Sequence, residues 1–293
     1  MELTSALVGA ELRPHETVVT ARQCMNYAAG VGDLNPFYFD DTRPDGISAP
    51  PMMAVALTWQ ITQRFPDFMD RDPFPKEWLG YGVHYRESLQ WHRPMVAGDR
   101  LVIRGKIVAA VPHRSGTYVG MRYDAEDSGG GRVFTEHFGW VYRGIVCADS
   151  GRGADEIPQS PEIPQDTAPV WETEIPIDSQ LAHVYDGCAN IHNPIHTSRR
   201  FARAVGLPEP ILHGTATLAM AVRELVNREA RGDPGRLRVL DCRFTSMVLM
   251  GTSIRVQLLA KSNTPSATEL FFQVLTPSGQ KAISKGYTAL ARQ

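Results

Sequence analysis

The sequence predicts an α+β fold that is written twice in one chain. Each half presents the same pieces in the same order: an Asn-Pro motif, an apolar helix rich in small residues, a strand pair and a closing hairpin. A helix followed by an antiparallel meander is typical of the α+β class. Residues 143–168 are rich in Pro, Gly, Asp and Ser and lack apolar periodicity, which indicates a linker. We therefore predict units at 1–142 and 169–293, joined by a linker at 143–168.

The elements of the first half follow from local patterns. Residues 50–62 predict a helix, because Pro50 and Pro51 suit its first turn and Leu57 and Ile61 lie four positions apart. The period then changes to two around residues 101–104, which indicates a half-buried strand. The glycines at 129–131 predict the turn of the closing hairpin.

The second half repeats this series. Residues 213–230 predict a mostly buried helix, with Leu218, Val222 and Leu225 at helical spacing among small residues. Apolar and polar residues alternate over 254–258, which indicates a strand. The sequence Pro-Ser-Gly at 277–279 predicts the final hairpin turn.

Composition excludes several classes of protein. The net charge is -2, with 30 basic residues spread among 32 acidic ones, so we expect no nucleic-acid partner. No run of about 18 apolar residues occurs, and the first residues do not resemble a secretion signal, so we expect no membrane span and a cytoplasmic protein. The four cysteines are scattered, which predicts reduced thiols in or near the core. No cluster has metal-ligand spacing, so we expect neither a metal nor another cofactor.

Two related motifs carry the candidate chemistry. Residues 32–38 read GDLNPFY and residues 190–196 read NIHNPIH, and a His-Gly pair follows the second motif at His213 and Gly214. This combination resembles the signature of MaoC-like (R)-specific enoyl-CoA hydratases, Gly-Asp-x-Asn-Pro-aliphatic-His, with a His-Gly pair at the start of the central helix. The resemblance covers both halves and implies a double hotdog, in which one chain mimics a homodimer and each antiparallel sheet wraps a central helix.

The resemblance also implies a mechanism and a site. In the family an Asp and a His five residues later act as an acid-base pair on one water, and an amide at the start of the central helix polarises the thioester carbonyl. That amide falls on Gly214 or its neighbour Thr215. The predicted residues are catalytic His196, Asn193 and Asp33, and substrate-binding His213, Gly214, Thr215 and Asn190.

Each half departs from the family pattern at a different position. In the second motif Ile191 replaces the Asp, whereas in the first motif Asp33 is present and Tyr38 replaces the His. Related sites in a hotdog dimer lie apart, so we do not assume that Asp33 and His196 meet. We expect one rewired site centred on His196 and a relic around Asp33.

Some roles stay open at this point. Asn190, His192 or Asp186 are candidates to replace the missing carboxylate. Asn35 and Asn193 are more typical of turn formers than of catalytic groups. The histidines His84, His92 and His183 are interpreted as ordinary surface or core residues. In the first half Met52, Met53 and Trp59 either line a substrate tunnel or, as their helical spacing favours, pack the core.

Three functions compete on these residues. The first is hydration of a 2-enoyl thioester, or the reverse dehydration, with a substrate carried on CoA or on an acyl carrier protein. The second is thioester hydrolysis, which is disfavoured because the helix at 213–230 has no carboxylate before Glu224. The third is a non-catalytic thioester-binding or scaffold protein, for which degraded motifs in both halves are typical. Either a monomer or a homodimer is compatible with two hotdogs in one chain.

Overall fold

The structure is a computed structural model that describes residues 1–70, 74–162 and 168–292. Its strands are β1 (Glu2–Leu3), β2 (Glu11–Val18), β3 (Gly82–Trp91), β4 (Arg100–His113), β5 (Gly116–Asp127), β6 (Arg132–Arg143), β7 (Val146–Cys147), β8 (Trp171–Pro176), β9 (Leu237–Phe244), β10 (Ser253–Asn263), β11 (Ala267–Leu275) and β12 (Lys281–Ala291). Its α-helices are α1 (Ala21–Gly30), α2 (Met53–Thr62), α3 (Leu181–Ala189), α4 (Pro194–Thr197), α5 (Arg199–Ala204) and α6 (Gly214–Glu229).

The main sheet shows that the chain is an internal repeat. It has ten strands in the order β2-β4-β5-β6-β3-β9-β12-β11-β10-β8, and its two halves join through the antiparallel pair β3 and β9. Read outward from that seam, the two halves follow the same order of strands, related by a twofold axis. This agrees with the repeat and the α+β class that the sequence predicts.

The two predicted central helices, α2 and α6, are confirmed. Both are largely buried, and the apolar positions that predict α6, Leu218, Val222 and Leu225, are each at most 3% exposed. Burying a side chain of this size is worth about 1.5–3 kcal/mol, so these positions anchor the helix against the sheet. The buried core also contains Met52, Met53 and Trp59. The packing interpretation of these three residues is therefore confirmed, and a substrate tunnel in the first half stays a prediction.

A second pair of helices, α1 and α3, packs together between the halves. The hydroxyl groups of Tyr27 and Tyr185 share a hydrogen bond of 3.0 Å in the buried interface. A Cβ atom at Gly30 would lie 2.7 Å from the Cβ of Cys188, so only glycine permits this close approach. This packing fixes where α3 ends, and the second Asn-Pro motif begins directly after it.

The remaining sequence predictions concern turns, linker and cysteines. Both hairpin turns are confirmed, since residues 128–131 connect β5 to β6 and residues 276–280 connect β11 to β12. The predicted linker at 143–168 includes residues 163–167, which lie outside the described residues, and its boundaries stay a prediction. The four cysteines are free thiols, and Cys24 and Cys242 are buried. None of the helices in the described ranges combines the length and apolar character needed to cross a bilayer.

Candidate active site

The Asn-Pro motifs form two equivalent turns. The side-chain oxygen of Asn193 accepts a hydrogen bond of 3.2 Å from the amide of Ile195, and Asn35 accepts one of 3.0 Å from the amide of Phe37. Each asparagine therefore caps a short helical turn that starts with proline, as predicted for turn formers. In the second half this turn is α4, and it carries the predicted catalytic histidine.

His196 is held as a neutral base. Its Nδ1 lies 2.8 Å from the carbonyl oxygen of Ile211, an acceptor, so Nδ1 carries the hydrogen and Nε2 keeps its lone pair. Nε2 has no hydrogen-bond partner among the described residues. Burial lowers the pKa of His196 to about 4, which keeps the ring uncharged at neutral pH. The imidazole is thus oriented, unprotonated at one nitrogen and available to take a proton.

His213 lies directly behind this base. The two imidazole rings are stacked with centroids 3.7 Å apart and an interplanar angle of 26°. His213 Nε2 donates to the carbonyl of Ile191 at 3.2 Å, while its Nδ1 is buried without a partner in the described part of the chain. Burial, followed by the neighbouring His196, lowers the pKa of His213 to about 2. His213 therefore supports the ring of His196 rather than exchanging protons itself.

The start of α6 supplies the predicted amide donors. His213 is the residue that precedes the helix and makes no side-chain capping hydrogen bond. The amides of the first helical turn have no carbonyl four residues earlier to bind, so those of Gly214 and Thr215 remain available. A Cβ atom at Gly214 would lie only 3.0 Å from Cδ1 of Phe244, so glycine leaves room at this point. The positive end of the α6 dipole adds to the preference for a developing negative charge.

Ile191 stands at the position of the family's aspartate and packs in the apolar core. Ile191 is 3% exposed and belongs to the core. Asn190 ends α3 in the left-handed conformation with φ of 55°, and its carbonyl accepts a hydrogen bond of 2.9 Å from Gln60 of α2. The Asn190 side chain contacts His192 Nε2 at 2.8 Å, so this predicted substrate-binding residue is engaged within the motif.

A carboxylate nevertheless lies beside the site. Asp186, on α3, places Oδ2 at 2.6 Å from Nδ1 of His192 and Oδ1 at 3.7 Å from Nε2 of His213. It is one of the three residues that the sequence offers as a replacement. The contact with His213 spans a loop and could not be read from the spacing of the motif.

Asp33 lies away from the site around His196. It is buried, and its Oδ1 accepts hydrogen bonds from the amide of Asn35 at 3.1 Å and from Asn227 at 3.4 Å. Burial raises the pKa of this carboxyl group. Asn227 and His213 lie at opposite ends of α6, which is about 24 Å long at 1.5 Å per residue. The structure therefore does not bring Asp33 to His196.

The first half also lacks the amide donor. The hydrogen bond from Ala49 to Met95 matches that from Leu212 to Val248 in the second half, which places Pro51 where Gly214 stands. Proline has no amide hydrogen, so this position cannot polarise a carbonyl. The tyrosine that replaces the histidine, Tyr38, is 1% exposed. The second half alone combines a free imidazole nitrogen with available helix amides among the described residues.

Sequence reasoning missed a buried carboxyl pair in the first half. Glu87 on β3 and Glu136 on β6 are both fully buried, and Glu87 lies 3.2 Å from Nε2 of His84. Burial raises the pKa of both carboxyl groups, that of Glu136 to about 7, and lowers the pKa of His84 to about 3. His84 was interpreted as an ordinary residue, and its ring stacks on Phe138 at 3.8 Å. The inward-facing positions of these two glutamates in their strands were the available signal.

Both halves of the chain match families of known proteins. Residues 162–277 match the MaoC like domain, and residues 6–136 match the FAS1-like dehydratase domain region. The chain is 25% identical over 283 residues to a protein of Dictyostelium discoideum named "Probable enoyl-CoA hydratase 2", covering 96% of this chain and 94% of that protein.

Solved structures support the fold. The crystal structure of a MaoC-like dehydratase from Phytophthora capsici superposes with a TM-score of 0.83 at 23% identity, covering 99% of this chain and 98% of that one. A Mycobacterium tuberculosis protein described as a double hotdog fold superposes with a TM-score of 0.63 at 13% identity, covering 97% of this chain and 96% of that one. The predicted double hotdog fold is confirmed.

Proposed function

We propose that this chain is a MaoC-like dehydratase that interconverts a 2-enoyl-CoA and a 3-hydroxyacyl-CoA at the site formed by His196 and the start of α6. The observation that carries the proposal is the pairing of an oriented, neutral imidazole with uncapped helix amides. A base for water and donors for an enolate oxygen are the two requirements of this addition.

The proposed steps use one proton twice. Nε2 of His196 takes a proton from water as the water oxygen forms a bond to C3 of the enoyl group. The π electrons of the C2–C3 bond move toward the thioester carbonyl, whose oxygen accepts hydrogen bonds from Gly214 and Thr215. The imidazolium then returns its proton to C2 and the carbonyl re-forms. One water has been added in total, and the reverse sequence is the dehydration.

The proposed division of roles follows from these steps. His196 is the acid-base group, Gly214 and Thr215 stabilise the negative oxygen, and His213 orients the base. Asn193 shapes α4 and thereby places His196. Asp33 has no part in the chemistry, because it contacts the far end of α6.

The proposed partner is an acyl thioester of CoA or of an acyl carrier protein. The panel of enoyl-CoAs described below tests which acyl chains are accepted. A cytoplasmic location also belongs to the proposal. It is supported by the four free thiols, since cysteines stay reduced in that compartment.

A second candidate is a protein that binds acyl thioesters without converting them. The observation that favours it is the buried Ile191 in place of the family's aspartate. Hydrolysis receives no comparable support, because Glu224 lies far along α6 and is paired with Arg223 and Arg228.

Loss of the ultraviolet absorbance of the enoyl thioester tests the proposal. A panel of short, long and branched trans-2-enoyl-CoAs is assayed with the wild type, with His196→Ala and with His113→Ala. His113 is the last residue of β4, in the other half, and serves as the matched control. We expect turnover that His196→Ala lowers by about 10²- to 10⁴-fold and that His113→Ala preserves. Thioester binding without turnover by the wild type would favour the second candidate, and release of free thiol would indicate hydrolysis.

A further inference from the structure

The position of Asp186 suggests which group does the work of the missing aspartate. Its side chain is 18% exposed and contacts two histidines at once, His192 at 2.6 Å and His213 at 3.7 Å. His213 in turn stacks on the proposed base, His196, with ring centroids 3.7 Å apart. One imidazole ring therefore separates this carboxylate from the base.

The fold holds Asp186 in this position. On α3 the buried residues Ala182, Tyr185 and Ala189 follow helical spacing and face the core. The hydroxyl group of Tyr185 is bonded to Tyr27 of α1, which fixes the rotation of α3 about its axis. Asp186 follows Tyr185 directly and thus flanks the buried face, beside the start of α6.

We infer that Asp186 supplies the negative charge that Ile191 cannot, as a positioning residue for His196 in the proposed hydratase reaction. The inference rests on that proposed function. The carboxylate accepts one hydrogen bond from Nδ1 of His192 and lies beside the Nε2 hydrogen of His213, so both rings are held in one orientation. Its charge favours the imidazolium form of His196, which exists after the base has taken a proton from water.

Electrostatics within the cluster support this role. The pKa of His196 is lowered mainly by burial, and the carboxylate of Asp186 acts in the opposite direction, raising it. His183, His192 and His196 also lie near His213, and all three disfavour additional positive charge there. Asp186 is thus the negative group that offsets the accumulation of imidazoles at the start of α6.

A purely structural role for Asp186 makes a different prediction. In Asp186→Asn the side-chain oxygen still accepts a hydrogen bond from His192, so the fold is retained while the charge is lost. If the residue only tied the loop to α3, this substitution would leave the rate unchanged. If its charge stabilises the imidazolium, kcat falls while KM stays the same, because the group does not contact the substrate.

The experiment measures kcat, KM and thermal melting for the wild type, Asp186→Asn, Asp186→Glu and Asp178→Asn with the best enoyl-CoA of the panel. Asp178 precedes the same helix and binds the amide of Gln180 at 2.7 Å, which makes it the matched control. We expect Asp186→Asn to lower kcat by about 10²-fold, at the lower end of acid-base contributions, with KM unchanged. Asp186→Glu keeps the charge and restores part of the rate, and Asp178→Asn matches the wild type.

Adding His192→Gln to Asp186→Asn tests whether the two residues act as a unit. If they do, the double variant loses less activity than the sum of the losses in the single variants Asp186→Asn and His192→Gln. If the wild type is active and Asp186→Asn keeps the full kcat, this inference is wrong while the proposed function stands. An equal loss in Asp186→Glu and Asp186→Asn also overturns it, because charge would then not matter. A wild type without turnover overturns the proposed function, and the inference falls with it.

Discussion

The desolvation of His196 makes a quantitative prediction about pH. Burial lowers the pKa of His196 to about 4, against 6.5 for an unperturbed histidine. At pH 5.5 an imidazole with a pKa of 6.5 is only about 9% neutral, whereas one with a pKa of 4 is about 97% neutral. The base therefore stays active in mildly acidic solution, and kcat/KM at pH 5.5 should nearly equal that at pH 7.5.

Initial rates of enoyl-CoA hydration between pH 4.5 and 8 test this prediction, because kcat/KM reports the ionisation of the free enzyme. Circular dichroism at each pH controls for unfolding. We expect a flat profile down to about pH 5 and a decline near pH 4, as His196 becomes protonated. A roughly tenfold fall between pH 7.5 and 5.5, with the fold intact, would refute the idea that a buried neutral His196 is the base.

Three further outcomes are expected. Gly214→Ala places a Cβ atom 3.0 Å from Phe244 and disturbs the amide donors, so kcat should fall by about 10²-fold or more in the hydration assay. Glu136 stabilises the fold below its unfolded pKa, and this contribution is lost as pH rises from about 4.5 to about 7. Glu136→Gln should therefore weaken the pH dependence of urea unfolding across this range, with buried Glu87 accounting for what remains, and an unchanged pH dependence would contradict the shared burial with Glu87. Asp33→Asn should leave the hydration rate unchanged, because Asp33 contacts the far end of α6; a large loss of kcat would instead assign the first half a catalytic role.

The sequence predicts those parts of the fold that local patterns determine. Leu218, Val222 and Leu225 mark α6 because helical spacing is a property of neighbouring residues, and the glycines at 129–131 mark a turn for the same reason. The equivalence of Pro51 and Gly214 at the two helix starts follows instead from the matching hydrogen bonds of Ala49 and Leu212, which the sequence alone does not give.

Other features depend on contacts between distant segments and could not be read in advance. Asp186 and His213 are brought together by the packing of α3 against α1 and by the loop between α5 and α6. Glu87 and Glu136 become diagonal neighbours only through the register of β3 and β6, which pairs Glu87 with Phe138 and Glu136 with Leu89. In both cases the sequence supplies the residue type, and the tertiary structure decides what it contacts and therefore how it ionises.

His196→Gln provides the most direct test of the central claim that the imidazole of His196 is the base. The amide nitrogen of glutamine can still donate to the carbonyl of Ile211, as Nδ1 does now, but it offers no basic nitrogen to water. We predict a folded variant that binds the enoyl-CoA with unchanged affinity and whose hydration rate is lower by about 10²- to 10⁴-fold. A folded His196→Gln protein that hydrates its substrate at the wild-type rate would contradict the claim.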